Sequence, residues 1–141
     1  MPDPSRHLRG LLDTSVVIEL ERLDVTALPL ELAVSAITFA ELAAGPHATD
    51  DPDERARRQD RLARAEATFE PLPFDSAAAR AYGRIYAAVL GAGRKARGQR
   101  AIDLLIAAVA LSTELPLFTR NEGDFRAIDH LLEIVAVPRL S

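Results

Sequence analysis

The spacing of apolar residues changes repeatedly along this chain, and each change predicts a new element. Short apolar runs bounded by glycine or polar residues are typical of buried strands, whereas apolar residues three to four positions apart are typical of helices. These patterns predict strands over residues 8–12, 32–35, 117–119 and 132–137, helices over 15–22, 36–44, 50–70, 76–90 and 103–113, a brief strand or extended link over 72–74, and a loop over 91–100.

Strands that alternate with helices predict a mostly parallel sheet with helices on both faces. The fold class expected is therefore α/β with three layers. A length of 141 residues suits one domain, which we expect to span residues 1–141. Parallel sheets of this kind hold their sites beyond the carboxyl ends of the strands. Residues that directly follow a strand are therefore the first candidates for chemistry.

Composition excludes several classes of protein. Apolar residues make up 48% of the chain and charged residues 27%, which are ordinary values for a globular protein. The chain has no cysteine and only three scattered histidines, which excludes disulfide scaffolds, cysteine nucleophiles and His/Cys zinc sites. The longest apolar run, 104–111, is about half of what a bilayer crossing needs, and residues 1–10 lack the apolar core of a signal peptide. We therefore expect a cytoplasmic protein with no membrane partner.

The charge is unevenly distributed. The net charge is −4, yet residues 76–102 contain no acid and six basic residues. Such a segment can present a local positive surface that binds phosphates, although a solvated loop and an arginine-rich genome would give the same pattern. The candidates for contact with a nucleic acid are Arg94, Lys95, Arg97 and Arg100.

Four acids stand out because their surroundings are apolar or because they follow a predicted strand. Asp13 follows the first strand, Glu41 is the only charge in the helix 36–44, Asp103 opens the most apolar helix, and Asp124 follows the strand 117–119. Each has an ordinary alternative: a helix cap for Asp13, a solvated stripe for Glu41, a partner of the helix dipole for Asp103 and an Asx turn for Asp124.

Taken together, the four acids predict a divalent cation. Buried carboxylates at the ends of neighbouring elements repel one another, and a hard cation relieves that repulsion. Oxygen ligands without His or Cys favour Mg²⁺ or Mn²⁺ over zinc. A cation of this kind supports phosphodiester hydrolysis, and the basic run directly before Asp103 could hold the substrate's phosphates.

These segments resemble the PIN-domain ribonucleases, and most closely the VapC-type toxins of bacterial type II toxin–antitoxin modules. The resemblance is carried by Leu-Leu-Asp13-Thr-Ser, Phe-Ala-Glu41-Leu, Asp103-Leu-Leu-Ile-Ala-Ala and Phe-Thr-Arg-Asn121-Glu-Gly-Asp124-Phe, in that order along nearly the whole chain.

The resemblance implies a sheet of about five strands between helices and acids that hold one or two Mg²⁺ or Mn²⁺ ions. The implied activity is endonucleolytic cleavage of RNA, commonly structured RNA such as tRNA or rRNA loops. It also implies inhibition by a VapB-type antitoxin, whose C-terminal segment wraps the toxin, and assembly as a homodimer or as a heterotetramer with that antitoxin.

The resemblance assigns roles position by position. Asp13, Glu41 and Asp103 match the three core acids of the family. Related proteins often have an acid where this chain has Asn121, so Asp124 would supply the fourth carboxylate, through water. Ser15 or Thr14, Thr119 and Asn121 would orient the ligands or the substrate. The expected mechanism is in-line attack of metal-activated water on the phosphodiester, which leaves 5′-phosphate and 3′-hydroxyl ends.

Two other interpretations stay open. A phosphoryl-transfer enzyme of the haloacid dehalogenase type also begins with an Asp at a strand end, but it requires an acid where this chain has Ser15 and a lysine near the end, and the only lysine is Lys95. A degenerate PIN domain acting as a scaffold or RNA-binding module is the second alternative. Binding of Mn²⁺ would distinguish an enzyme from a scaffold.

Overall fold

Four parallel strands form one sheet in which the first strand is central. The computed structural model describes residues 6–140. The strands are β1 (Arg9–Leu12), β2 (Glu31–Val34), β3 (Leu117–Thr119) and β4 (Ile134–Ala136), in the order β2-β1-β3-β4. The chain therefore builds one half of the sheet on one side of β1 and the other half on the opposite side.

Helices cover both faces of this sheet. They are α1 (Thr14–Ile18), α2 (Ala36–Ala44), α3 (Pro52–Thr68), α4 (Ser76–Gly91) and α5 (Gln99–Ser112), and short 3-10 helices span Leu20–Arg22, Val25–Ala27, Gly45–Ala48 and Glu122–Ile128. Polar side chains start several of them. Ser35 accepts a hydrogen bond from the backbone N–H of Thr38 at the start of α2, and Asp75 does so from Ala78 at the start of α4.

Alternating residues of the strands enter two separate cores. Leu11, Ala33 and Leu117 pack with α4 and α5 on one face, and Leu12, Val34 and Phe118 pack with residues of α1, α2 and α3 on the other. This is the two-residue period of strands that are buried on both faces. The three-layer α/β fold expected from the sequence is confirmed.

One close approach inside the sheet requires a glycine. A Cβ atom added to Gly10 of β1 would lie 2.3 Å and 2.6 Å from two ring atoms of Phe118 on β3. The Phe118 ring is itself buried and meets the His7 ring edge-on, with the ring centroids 5.5 Å apart. Gly10 therefore allows the large ring to cover the strand beside it.

The expected number of about five strands is wrong for the described residues, which contain four. The candidate fifth strand at 72–74 forms only one parallel bridge, between Leu72 and Ser35. Leu72 donates to the carbonyl of Val34 and accepts from the N–H of Ala36. Proline at positions 71 and 73 removes the neighbouring N–H donors, so the pairing cannot extend.

Two predicted helix boundaries are also wrong. The helix expected over 15–22 ends at Ile18, because the chain turns at Glu19 and continues as a 3-10 helix over Leu20–Arg22. The helix expected to begin at Asp103 begins at Gln99, directly after Gly98, whose φ of +57° favours glycine. The second difference matters for the site, since it adds one turn of helix before Asp103.

Within residues 6–140, no helix combines the length and the apolar character that a membrane crossing requires. The predicted absence of a signal peptide concerns residues 1–10, of which 1–5 lie outside the described part of the chain.

Candidate active site

The site lies where β1 and β3 end side by side, at the point where the strand order changes direction. Asp13 directly follows β1, and its backbone N–H donates to the carbonyl of Phe118 on β3 at 2.8 Å. Neighbouring parallel strands whose connections leave in opposite directions open a crevice beyond their carboxyl ends. Asp13 stands in that position.

Asp13 is held by three donors. Its Oδ2 accepts from the hydroxyls of Ser15 and Thr119, each at 2.8 Å, and its Oδ1 accepts from the backbone N–H of Thr14 at 3.0 Å. The Ser15 hydroxyl also accepts from the N–H of Arg120 at 3.2 Å. Ser15 and Thr119, to which the resemblance assigned an orienting role, both contact Asp13. That role in the reaction stays a prediction.

The electrostatic environment of Asp13 opposes its charge. The residue is only 3% exposed. Burial raises the pKa of Asp13, the hydrogen bonds from Thr119, Ser15 and Thr14 partly offset that rise, and the charge of Glu41 adds to it. All three donors are neutral, so no positive charge from them compensates for the burial.

Glu41 is oriented by a chain of hydroxyls. Its Oε1 accepts from the Thr14 hydroxyl at 2.7 Å, and the oxygen of Thr14 lies 2.9 Å from that of Thr38. Ser35 continues the chain, with its oxygen 3.4 Å from that of Thr38. Thr14 therefore connects two acids, since its N–H binds Asp13 and its hydroxyl binds Glu41.

Gln99 connects Glu41 to Asp103. Its side-chain nitrogen donates to Oε2 of Glu41 at 3.0 Å and to Oδ1 of Asp103 at 3.1 Å. Gln99 and Asp103 are four residues apart on α5 and so lie on one face of the helix. Glu41 and Asp103 are partly buried, and Gln99 is exposed.

The charges of the other three acids act on Asp103. Its pKa is raised to about 6, first by burial and then by the charges of Asp13, Glu41 and Asp124, while the hydrogen bond from Gln99 lowers it. Asp124 is exposed and lies in the 3-10 helix Glu122–Ile128, with its N–H bonded to the carbonyl of Asn121. The four predicted acids thus belong to one electrostatic neighbourhood.

In the described part of the chain, cationic side chains do not neutralise this neighbourhood. Across residues 6–140, none of the four acids forms an ion pair with Arg, Lys or His. In the same part of the chain, no three Asp, Glu or His side chains stand close enough together to hold a metal ion. Gln99 is the group between Glu41 and Asp103. The assignment of the four acids as metal ligands therefore stays a prediction.

The other predicted residues lie around the acids. The backbone N–H of Asn121 donates to the Thr119 hydroxyl at 3.0 Å, and its side chain is exposed. Arg94, Lys95 and Arg97 are exposed on the loop before α5, and Arg100 is partly buried in its first turn. The loop leads directly into the helix that carries Gln99 and Asp103, but contact with RNA stays a prediction.

Sequence reasoning did not single out Gln99, Thr38 or the arginines beside Asn121. A cavity of about 310 Å³ next to the site is lined by Ser15, Ile18, Glu19, Arg120, Asn121 and Arg139. Arg120 pairs with Glu19 at 2.9 Å, and Arg139 pairs with the same carboxylate. The four-residue spacing from Gln99 to Asp103 could have indicated that the two side chains share a helix face. That inference requires a helix that already includes Gln99.

A larger cavity, about 520 Å³, lies away from the acids. It is bounded by α1, the 3-10 helix Leu20–Arg22 and α3, with Val17, Leu32 and Phe69 at its apolar wall and Arg57, Arg61 and Arg64 among its charged residues. None of the four acids lines it. Its shape therefore says nothing about the chemistry at the sheet edge.

A family model described as the PIN domain matches residues 10–131, which include all four acids. The chain belongs to the PIN-domain family.

Relatives place this PIN-domain protein in the VapC-type branch. Ribonuclease VapC5 from Mycobacterium tuberculosis is 41% identical over 123 residues, which cover 85% of this chain and 87% of that protein. Ribonuclease VapC from Rickettsia bellii is 30% identical over 133 residues, covering 91% and 96%. The resemblance to VapC-type ribonucleases found in the sequence is confirmed.

The fold of this PIN-domain protein matches a solved toxin–antitoxin structure. The crystal structure of VapBC-5 from Mycobacterium tuberculosis, a member of the VapBC family of toxin-antitoxin systems, contains a chain with a TM-score of 0.81 and 39% identity. The match covers 92% of this chain and 98% of that one. The parallel sheet and its helices are therefore those of the family.

Proposed function

We propose that this PIN-domain protein is a Mg²⁺- or Mn²⁺-dependent endoribonuclease and the toxin of a toxin–antitoxin pair. The observation that carries the proposal is a set of acids that have no cationic partner within residues 6–140. Asp13 is buried among neutral donors, and Asp103 is half-buried with a pKa raised to about 6 by burial and by the three other acids. Such a set is costly in isolation and favours binding of a cation.

The donor set fits a hard divalent cation. The residues that would hold it are Asp13, Glu41 and Asp103, with Asp124 acting through water, and all of them supply only oxygen. When bound, the cation would lower the pKa of a coordinated water and offset the negative charge that develops on the phosphodiester. We expect 5′-phosphate and 3′-hydroxyl ends on the products.

The protein's own residues would supply orientation. The Ser15 and Thr119 hydroxyls fix the Oδ2 side of Asp13, and Thr14 fixes Glu41. Arg94, Lys95, Arg97 and Arg100 would bind the phosphates of the RNA and bring it to the end of α5. No histidine contacts the acids among the described residues, so the proposed mechanism gives none the role of general base.

The proposed partner is a VapB-type antitoxin, and the proposed substrate is structured RNA such as tRNA or rRNA. The likeness to a VapBC toxin–antitoxin structure supports the antitoxin, and the relationship to Ribonuclease VapC5 supports RNA as the substrate. The choice of structured RNA rests on the family resemblance. We propose that the antitoxin blocks cleavage, and that the toxin functions as a homodimer or as a heterotetramer with its antitoxin.

Binding of Mn²⁺ to the full chain without antitoxin tests the metal first, because it needs no knowledge of the RNA. Wild type is compared with Asp13→Asn and Asp103→Asn, and Glu66→Gln serves as a control because Glu66 is an exposed acid on α3. We expect binding at or below roughly millimolar concentration in wild type and control, and its loss in both site variants while circular dichroism shows an intact fold.

Cleavage of total RNA is then followed with the same four proteins, with and without a VapB-type antitoxin. We expect Mg²⁺-dependent cleavage by wild type and Glu66→Gln only, 5′-phosphate ends that an RNA ligase accepts, and inhibition by the antitoxin. Near-normal cleavage by a folded Asp103→Asn protein would overturn the site. Failure of wild type to bind Mn²⁺ or cleave RNA would favour the scaffold interpretation.

A further inference from the structure

Gln99 lies between two of the acids and uses both protons of its side-chain amide on them. One bond goes to Oε2 of Glu41 at 3.0 Å and the other to Oδ1 of Asp103 at 3.1 Å. An amide NH₂ has two protons to donate, so these bonds use its full capacity. Both carboxylates are therefore directed at the same nitrogen atom.

The position of Gln99 is set by the start of α5. Gly98 precedes it with φ +57° and ψ −135°, a backbone conformation that side chains other than glycine rarely adopt. The chain therefore enters the helix with Gln99 one turn before Asp103, on the same face. Glu41 comes from α2, so the amide joins side chains from two helices that no backbone pairing holds together.

The amide nitrogen lies farther from the two carboxylate oxygens than a metal ion bound between them would. The two N···O distances are 3.0 Å and 3.1 Å, whereas Mg²⁺ requires about 2.1 Å to each oxygen. No three acids of residues 6–140 come together closely enough to hold an ion in this arrangement. An ion shared by Glu41 and Asp103 therefore competes with the amide for the same oxygens.

We propose that Gln99 acts as an internal substitute for the cation. Its amide must leave the two carboxylates before they can bind the ion. This inference rests on the proposed function, because it assumes that Glu41 and Asp103 are metal ligands. The amide carries only a partial positive charge and is solvent-exposed, so it can exchange both bonds for bonds to water. Gln99 thus lowers the affinity for the ion without blocking it.

The test is the Mn²⁺ affinity of the full chain without antitoxin, comparing wild type with Gln99→Met. Methionine keeps the length of the side chain and removes both donors. The matched control is Gln59→Met, since Gln59 is an exposed glutamine in the middle of α3. We expect Gln99→Met to bind Mn²⁺ roughly tenfold more tightly than wild type, because two hydrogen bonds to charged groups no longer have to break, and Gln59→Met to bind as wild type does. Equal or weaker binding by Gln99→Met would overturn the proposal.

A second readout follows the amide directly. The side-chain NH₂ signals of Gln99, identified by their loss in Gln99→Met, are recorded by NMR during titration with Mg²⁺. We expect them to move towards the positions of an exposed amide such as Gln59 as the ion binds. Side-chain NH₂ signals of Gln99 that stay in place while the backbone N–H signals of Asp13 and Asp103 shift would contradict release of the amide.

These outcomes separate the two proposals. If wild type binds Mn²⁺ and Gln99→Met binds no better, the role of Gln99 is wrong and the metal site stands. If neither protein binds Mn²⁺, the metal site itself is wrong, and the inference about Gln99 is overturned with it. Binding that appears only in Gln99→Met would support both.

Discussion

The two halves of the acidic site are built differently. Asp13 is buried at the junction of two hydrogen-bonded strands and accepts bonds from three groups next to it or on the neighbouring strand. Glu41 and Asp103 are partly exposed on two separate helices and are joined through one side chain, Gln99. Backbone pairing of β1 with β3 holds Asp13, here called the fixed half, whereas one exposed side chain links Glu41 to Asp103, here called the adjustable half.

The contrast shows how a site of like charges can exist in a stable fold. An acid that cannot move keeps its position and carries the penalty of burial, which appears as the raised pKa of Asp13. Glu41 and Asp103 lie on separate helices, and the Gln99 amide between them offsets part of their repulsion when no ion is bound. We therefore expect the fixed half to affect stability strongly and the adjustable half to affect binding and pH dependence.

Gly10→Ala should have the largest effect, since it disturbs the strand pair beneath Asp13. The new Cβ would meet the Phe118 ring at 2.3 Å, and that ring is buried against its neighbours. We expect a loss of about 3 kcal/mol in the free energy of unfolding, as for other overpacked cores, measured by urea denaturation. Gly83→Ala on α4 is the control, because its Cβ would meet no atom within 4 Å and alanine favours helix. Equal stability of Gly10→Ala and wild type would show that the β1–β3 pair is not rigid.

Thr119→Val should follow with a loss of about 2 kcal/mol, because it removes a hydrogen bond to a buried carboxylate while keeping the shape of the side chain. The Thr119 hydroxyl is fully buried and lies 2.8 Å from Oδ2 of Asp13. Thr26→Val is the matched control, since Thr26 makes the same kind of bond to Asp24 in an exposed position. We expect the control to lose less than about 0.5 kcal/mol in urea denaturation. Similar losses in the two variants would contradict the role of burial.

The sequence predicted the fixed half better than the adjustable one. Asp13, Ser15 and Thr119 follow or end short apolar runs, and the direction of parallel strands brings such positions to one edge of the sheet. That argument needs only the order of the elements. It predicts that Asp13 and Thr119 lie at the same edge of the sheet; the hydrogen bond between them, across 106 positions, is visible only in the structure.

Gln99 escaped prediction for a physical reason. Gly91, Gly93 and Gly98 lie close together and suggest a loop that extends to Arg100, which delays the expected start of the helix to Asp103. In the structure Gly98 ends the loop and the helix begins at once. The prediction of a fifth strand was wrong for a similar reason. Two prolines around Leu72 limit its pairing to a single bridge, and the pattern of apolar residues does not show this limit.

Asp103→Asn should remove part of the pH dependence of the stability of the metal-free protein. Because the pKa of Asp103 is raised from 3.8 to about 6, the protonated form favours the fold, and this contribution is complete below 3.8 and lost as the pH rises through 6. In EDTA near pH 7.5 we expect Asp103→Asn to be more stable than wild type by on the order of 1 kcal/mol, after allowance for solvent screening. Near pH 4 the difference should vanish, with Glu66→Gln as the control. A difference that does not change with pH would show that Asp103 is not strained by its neighbours.

Arg97→Gln should have the smallest effect, and it tests from which half the substrate approaches. Arg97 is exposed on the loop that leads into α5, so a phosphate bound there would reach the adjustable half first. One lost phosphate contact should raise KM for RNA about threefold and reduce its salt dependence, with kcat unchanged. Arg80→Gln on α4 is the matched control, because Arg80 lies in the same acid-free segment but outside the loop.

If both variants behave as wild type, the loop does not contact the RNA, and other residues must bind it. The nearest candidates are Arg120 and Arg139, which line a cavity with Asn121. If only Arg97→Gln changes, the substrate approaches over the loop that leads into α5, the helix that carries Gln99 and Asp103.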